Sequence, residues 1–165
     1  PESQDICFVG KGDYRDFLRE HFPEAAKPGD VVDVDGAVVA RHQGTVDFTI
    51  GQRKGLGVAV GEPRYVVDIE PSTATIVIGK KEDLLVDGCL VSDVCFVAGS
   101  PPRDLDVEVK IRYRARQVAA RLVPGDGDWE VRFRDRQGGV APGQAAVFYA
   151  GSEVIGGGTI TAALR

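Results

Sequence analysis

Two kinds of hydrophobic spacing divide this chain. In the stretch Gly12-Asp13-Tyr14-Arg15-Asp16-Phe17-Leu18-Arg19-Glu20-His21-Phe22, the apolar residues Tyr14, Phe17, Leu18 and Phe22 recur at helical intervals. Asp13 is placed to accept from the first-turn amides, and Pro23 and Pro28 forbid continuation, so the spacing predicts one short helix. From Pro28 onward the apolar side chains come in short β-branched runs separated by turn residues. Val31-Val32-Asp33-Val34 and Ala37-Val38-Val39-Ala40 flank Asp35-Gly36, a pair that tolerates positive φ and suits a tight hairpin. Tyr65-Val66-Val67-Asp68-Ile69 and Thr75-Ile76-Val77-Ile78 bracket a second turn through Pro71-Ser72-Thr73, and Leu84 to Val97 reads as two strands joined near Asp87-Gly88.

Gly99-Ser100-Pro101-Pro102 cannot continue a sheet interior and is a candidate boundary. After it, Val107, Val109, Ile111 and Tyr113 alternate with Glu108, Lys110, Arg112 and Arg114, and Trp129, Val131 and Phe133 alternate with Glu130, Arg132 and Arg134. This period of two gives each strand one apolar and one charged face. Ala146-Val147-Phe148-Tyr149 then pairs with Val154-Ile155 across Gly151-Ser152. The fold class expected is mainly β, two small β-barrel-like modules with one short helix near the N-terminus, the modules spanning residues 28–91 and 92–165.

Composition narrows the classes. No apolar run approaches the roughly 18 residues of a membrane span and no secretory leader opens the chain, so a soluble, cytoplasmic protein without membrane association is expected. The chain opens on Pro1 and contains no methionine, which suggests a piece of something longer. Three cysteines, an odd number at spacings unlike those of metal knuckles, with His21 and His42 as the only histidines, argue against a disulfide framework and against a metal site. The net charge of −5 disfavours attraction of nucleic acid by the surface as a whole. The charge is uneven, however: Val107–Arg136 carries eight basic side chains against five acidic ones, a local +3.

Gly51-Gln52-Arg53-Lys54-Gly55-Leu56-Gly57 combines permissive backbone with two cations. A nucleotide-binding P-loop would end in Gly-Lys-Ser/Thr and lead into a helix, and neither follows, which leaves a glycine-rich turn or a phosphate contact through Arg53 and Lys54. Arg112-Tyr113-Arg114-Ala115-Arg116 could grip phosphates and stack a base, or could be a solvated strand face with Tyr113 in the core; the local positive charge favours RNA. Gly156-Gly157-Gly158 suits a bulge or barrel corner. Gln144 could read a base edge or cap a turn. Cys89 and Cys95 sit in apolar strand-like runs and are expected in the core. Cys7 could be buried too, but it precedes the helix beside Gly10, Lys11 and Gly12, where exposure and a lowered thiol pKa are possible.

Six pieces in order, Ser3-Gln4-Asp5-Ile6-Cys7-Phe8, His42-Gln43-Gly44, Thr49 to Gly57, Tyr65-Val66-Val67-Asp68, Arg112-Tyr113-Arg114 and Pro142-Gly143-Gln144-Ala145-Ala146-Val147-Phe148-Tyr149, resemble the bacterial tRNA-specific 2-thiouridylases. The resemblance implies a three-part enzyme of which this chain holds the central β module and a C-terminal, translation-factor-like barrel, with residues 1–27 ending the missing N-terminal domain and adding a linker helix. That missing domain would bind ATP with Mg and adenylate the 2-oxygen of the wobble uridine; this chain would bind no cofactor or metal. Cys7 matches the cysteine that carries the persulfide delivered to C2, a species whose terminal sulfur is nucleophilic and whose S–S bond another thiolate can cleave. The partner cysteine belongs to the missing domain. Arg112, Tyr113 and Gln144 match tRNA-contact positions, with Arg53, Lys54, Arg114 and Arg116 as secondary candidates. Expected partners are the tRNA anticodon arm and a sulfur-donor protein, either a cysteine desulfurase or a sulfur-relay carrier. Many relatives have tryptophan near Cys95-Phe96, a departure that touches packing. The competing reading is a non-catalytic RNA-binding β module with a structural Cys7. A methyltransferase would need a glycine-rich adenosylmethionine loop between a strand and a helix, which is lacking.

Overall fold

The computed structural model describes residues 14–58, 61–113 and 115–165, with side chains from Phe17 onward. Cys7 and Arg114 lie outside the described residues. The chain divides between Asp83 and Leu84 into two compact units.

In the first unit, α1 (Tyr14–His21) is followed by a 3-10 turn at Pro23–Ala26, as the prolines require. Strands β1 (Gly29–Asp33), β2 (Val38–His42), β3 (Tyr65–Glu70) and β4 (Thr75–Gly79) form a four-stranded sheet in the order β2-β1-β4-β3. The β1–β2 hairpin closes one residue earlier than its apolar pattern suggests. Asp33 Oδ1 accepts from the Asp35 and Ala37 amides, so Val34 leaves the strand and is exposed, while Gly36 takes φ 85°. β1 and β4 run parallel, pairing Val31 with Ile76 and Asp33 with Ile78. The core here is Val31, Leu56, Val66, Ile76 and Ile78, with Phe48, Ile50 and Val39 packed against it. Each such aliphatic side chain contributes about 1.5–3 kcal/mol on burial.

The second unit is a closed six-stranded antiparallel barrel in the order β10-β5-β8-β7-β6-β9. Its strands are β5 (Leu85–Phe96), β6 (Asp106–Lys110), β7 (Val118–Pro124), β8 (Trp129–Gly138), β9 (Ala145–Ala150) and β10 (Glu153–Leu164). The alternation in β6 and β8 points Val107, Val109, Val131 and Phe133 inward, onto Phe148, Leu122 and Ile160. The stretch expected to be two strands joined at Asp87-Gly88 is the single strand β5, which a boundary at 91/92 would cut. Gly88 serves close approach rather than a turn: a Cβ there would run into the Val131 carbonyl. The three glycines of β10 act likewise, with register shifts on both flanks and the Cys95 and Ala146 carbonyls 2.7 Å from where Cβ atoms of Gly156 and Gly157 would stand. The chain is thus mainly β, with one module closed into a barrel and the other an open sheet. Among the described residues no helix is long and apolar enough to cross a membrane.

Candidate nucleic-acid interface

β6 ends at Lys110, which pairs with Val147 near the start of β9, and β8 ends at Gly138, which pairs with Leu85 at the start of β5. The loops that follow β6 and β8 therefore open at one rim of the barrel. Ile111 still points inward and is buried, but the chain turns at Arg112, and Tyr113 stands 88% exposed. Its expected alternative place in the core is overturned: the strand stops before the period-two pattern does.

Arg112 lies across the β8 end and donates from Nη2 to the Gly138 carbonyl at 3.0 Å. Gly139 makes this possible. It holds φ 73°, and a Cβ there would stand 2.6 Å from Arg112 Nη1, so the missing side chain is the seat of the guanidinium. One face of Arg112 is thereby fixed while the residue remains exposed, which lowers the entropy lost when it grips an anion. Lys110 Nζ lies 5.8 Å from the Tyr113 ring centroid and adds charge beside an aromatic face. Arg116 is exposed in the same β6–β7 loop.

Gln144 reaches this rim from the other side. Its carbonyl accepts from the Ile160 amide at 2.8 Å and Gly143 N–H donates to the Ile160 carbonyl at 2.8 Å, so the backbone is tied down while the side chain is exposed. The structure thus gathers Arg112, Tyr113, Arg116 and Gln144 at one end of the barrel. Arg136 braces that end by donating to the Leu85 carbonyl at 2.6 Å and pairing with Asp87 at 3.2 Å. Neither Arg136 nor the Gly138-Gly139 seat stood out in the sequence, where two glycines after a strand signal only a turn.

Arg53 and Lys54 belong to the first unit, exposed at the tip of the Gly51–Gly57 loop. Gln52 braces that loop, its Oε1 accepting from Thr49 N–H at 3.0 Å and its Nε2 donating to the Lys54 carbonyl at 3.0 Å, while Leu56 plugs the core. Gly51 N–H donates to the Val66 carbonyl and Gln52 N–H to the Thr49 carbonyl, so these amides are not available to cradle a phosphate chain.

The two described cysteines differ. Cys89 is fully buried, and burial pushes its thiol from an ordinary 9.0 up to about 12. Cys95, expected in the core, is instead exposed, because its place on β5 faces outward opposite Gly157. Iodoacetamide at pH 8 is expected to label Cys95 and spare Cys89 until the chain is unfolded, as read by peptide mass spectrometry; equal labelling of both in the native chain contradicts this. Because the folded thiol is the weaker acid, the Cys89 contribution to stability is intact below about pH 9 and is lost progressively towards about pH 12.

In class, the chain is a small β unit followed in sequence by a closed antiparallel barrel with a basic, aromatic rim. The profile described as "tRNA methyl transferase PRC-barrel domain" matches residues 15–80, and that described as "Aminomethyltransferase beta-barrel domain" matches residues 86–160. Proteins named tRNA-specific 2-thiouridylase MnmA are similar over nearly the whole chain. That of Carboxydothermus hydrogenoformans is 48% identical over 97% of this chain and 44% of its own length. That of Roseiflexus sp. strain RS-1 is 46% identical over 97% of this chain and 43% of its own, and that of Chloroflexus aggregans 45% identical over 96% and 45%. The chain belongs to the tRNA-specific 2-thiouridylase family, and it spans under half the length of these relatives.

Proposed function

We propose that this chain is the central and C-terminal portion of a tRNA 2-thiouridylase, in which Cys7 carries the sulfur destined for C2 of the wobble uridine and the barrel rim holds the anticodon arm. The observation that carries this reading is the unbroken similarity, 48% identical over 97% of the chain, to a protein named for that activity. The grouping of Arg112, Tyr113, Arg116 and Gln144 at one rim supports it, because phosphate-directed guanidinium groups beside an exposed aromatic ring suit the splayed bases of an anticodon loop.

In this reading residues 1–27 complete a preceding domain and link it to the sheet. That domain binds ATP with Mg, and a cysteine desulfurase or sulfur-relay carrier supplies the sulfur in the cytoplasm. The Gly51–Gly57 loop does not suit a nucleotide, its first amides being already spent within the fold, and no step is routed through it. The chain contributes the sulfur-bearing thiol and the RNA surface and is inactive alone.

The test has two arms. The 165-residue chain, mixed with tRNA, ATP, Mg and sulfide, is expected to leave the uridine unmodified yet to bind an anticodon stem-loop, and Arg112→Ala is expected to weaken that binding by about 1–2 kcal/mol, roughly tenfold. Thiolation by the chain alone, or stem-loop binding indifferent to Arg112, contradicts the proposal.

A further inference from the structure

Beyond the rim, the outer face of the barrel carries a second concentration of charge. Alternation along β8 turns Arg132, Arg134 and Arg136 to solvent, and Arg121 of β7 stands in register with Arg132. The pairings of β9, β6 and β7 align Tyr149, Glu108 and Ala119 in one row, with Asp106, Arg121 and Arg132 in the next, and Arg134, one residue beyond the paired Phe133, lines the same depression as Ala119. Ala119 ends at its methyl group, so the longer side chains enclose a trough of about 540 Å³ over it.

The charges of the trough are only loosely neutralised. Arg121 pairs with Asp106 at 2.8 Å and Arg132 with Glu130 at 2.6 Å, but both guanidinium groups are more than half exposed, at 58% and 62%. Surface pairs of this kind contribute about 0–1 kcal/mol, so a phosphate can replace the carboxylate at little cost. Arg134 has no ion-pair partner among the described residues. The planar fork of each guanidinium suits two phosphate oxygens.

The trough shares strand β8 with the rim. Gly138, whose carbonyl holds Arg112, lies four residues along β8 from Arg134, which at strand rise is about 13 Å. Along a B-form duplex axis each strand advances about 3.4 Å per phosphate, and an extended single strand advances further. A backbone seated on Arg112 therefore reaches Arg134 within about four nucleotides.

From this arrangement we infer that the trough on the outer face of β6–β9 is a second RNA contact, taking backbone phosphates next to those at the rim, with Arg134 as its principal cation and Arg121 and Arg132 exchanging carboxylate for phosphate. The inference rests on the rim being an RNA site, and the experiment separates the two. Affinity of the chain for a tRNA bearing a wobble uridine is measured over a series of salt concentrations for the unsubstituted chain, Arg134→Ala, Arg134→Lys, Arg112→Ala and, as control, Arg103→Ala in the loop before β6. Arg134→Ala is expected to weaken binding several-fold and to flatten the slope of log K against log salt by about 1, with Arg134→Lys keeping most of the slope. If Arg112→Ala flattens the slope while Arg134→Ala behaves like Arg103→Ala, the trough is not a contact and the rim reading stands. Loss of affinity in Arg134→Ala with no change of slope equally overturns a phosphate contact. If neither Arg112 nor Arg134 matters, or the unsubstituted chain binds no RNA, both readings fall.

Discussion

Under the proposed function, replacing Cys7 with serine in a full-length 2-thiouridylase containing this sequence is expected to reduce tRNA thiolation by roughly 10³-fold or more, the scale on which an enzyme loses a covalent nucleophile. The reason is chemical. Persulfide chemistry requires a thiol sulfur that accepts a sulfane sulfur and later releases it, with the terminal sulfur bonding to C2 as AMP departs and a second thiolate then cleaving the S–S bond. A hydroxyl oxygen can do neither, although it matches the thiol closely in size. Cys89 cannot substitute, since its buried thiol is pushed up to about 12 and is protonated at neutral pH. The readouts are 2-thiouridine in digested tRNA and tRNA affinity, which is expected to be unchanged. Mass spectrometry of the unsubstituted protein under turnover is expected to find an added 32 Da, one sulfur, on the Cys7 peptide. Undiminished thiolation by Cys7→Ser would give the residue a structural role and favour the non-catalytic RNA-binding module.

The barrel and the site were unequally legible from the residues. β6 and β8 could be read directly because valine, isoleucine and phenylalanine alternate there with glutamate, lysine and arginine, a contrast that survives in the burial of Val107, Val109, Val131 and Phe133. β7 offers that contrast only at Arg121 and Leu122; Ala119 and Ala120 are alike in size and polarity, so between those two nothing distinguishes the outward residue from the buried one. Asp87-Gly88 has the composition of a turn, yet the glycine is there because the Val131 carbonyl passes too close for a side chain, a demand that exists only after the barrel closes. Tyr113 shows the same limit at the site. Its spacing continues the apolar face of β6, but Arg112 is captured by the Gly138-Gly139 seat and the chain turns outward. The motif order pointed to Arg112 and Gln144 without saying that they share a rim; that follows from the pairings Lys110↔Val147 and Leu85↔Gly138, which are long-range and leave no local trace. Cys95 was misjudged for a related reason, since an apolar run does not say which of its alternate positions faces in.

His42→Ala is expected to destabilise the first unit by about 2–4 kcal/mol, a large share of what holds a small β unit together. His42 is the buried polar side chain of this sheet, 5% exposed, and both ring nitrogens are used. Nδ1 accepts from Gly44 N–H at 3.1 Å, which puts the proton on Nε2, and Nε2–H donates to the Ala74 carbonyl at 2.8 Å. One ring thus ties the end of β2 to its own following turn and to the β3–β4 turn. Ala74 takes φ 52°, an uncommon value for a residue with a side chain, and its carbonyl bond helps to hold it there. Gly29 completes the fit, because a Cβ at that position would collide with the Ala74 carbonyl and stand 2.9 Å from Nε2. Alanine at 42 leaves a buried donor and acceptor unpaired and removes the edge-on ring contact to Phe48, whose centroid is 5.2 Å away. His42→Gln can still donate to Ala74, and His42→Asn can still accept from Gly44, so each is expected to recover part of the loss. Amide hydrogen exchange of Val31, Ile76 and Ile78 measures it, and protection within about 0.5 kcal/mol of the unsubstituted chain in His42→Ala would show that the two bonds contribute little.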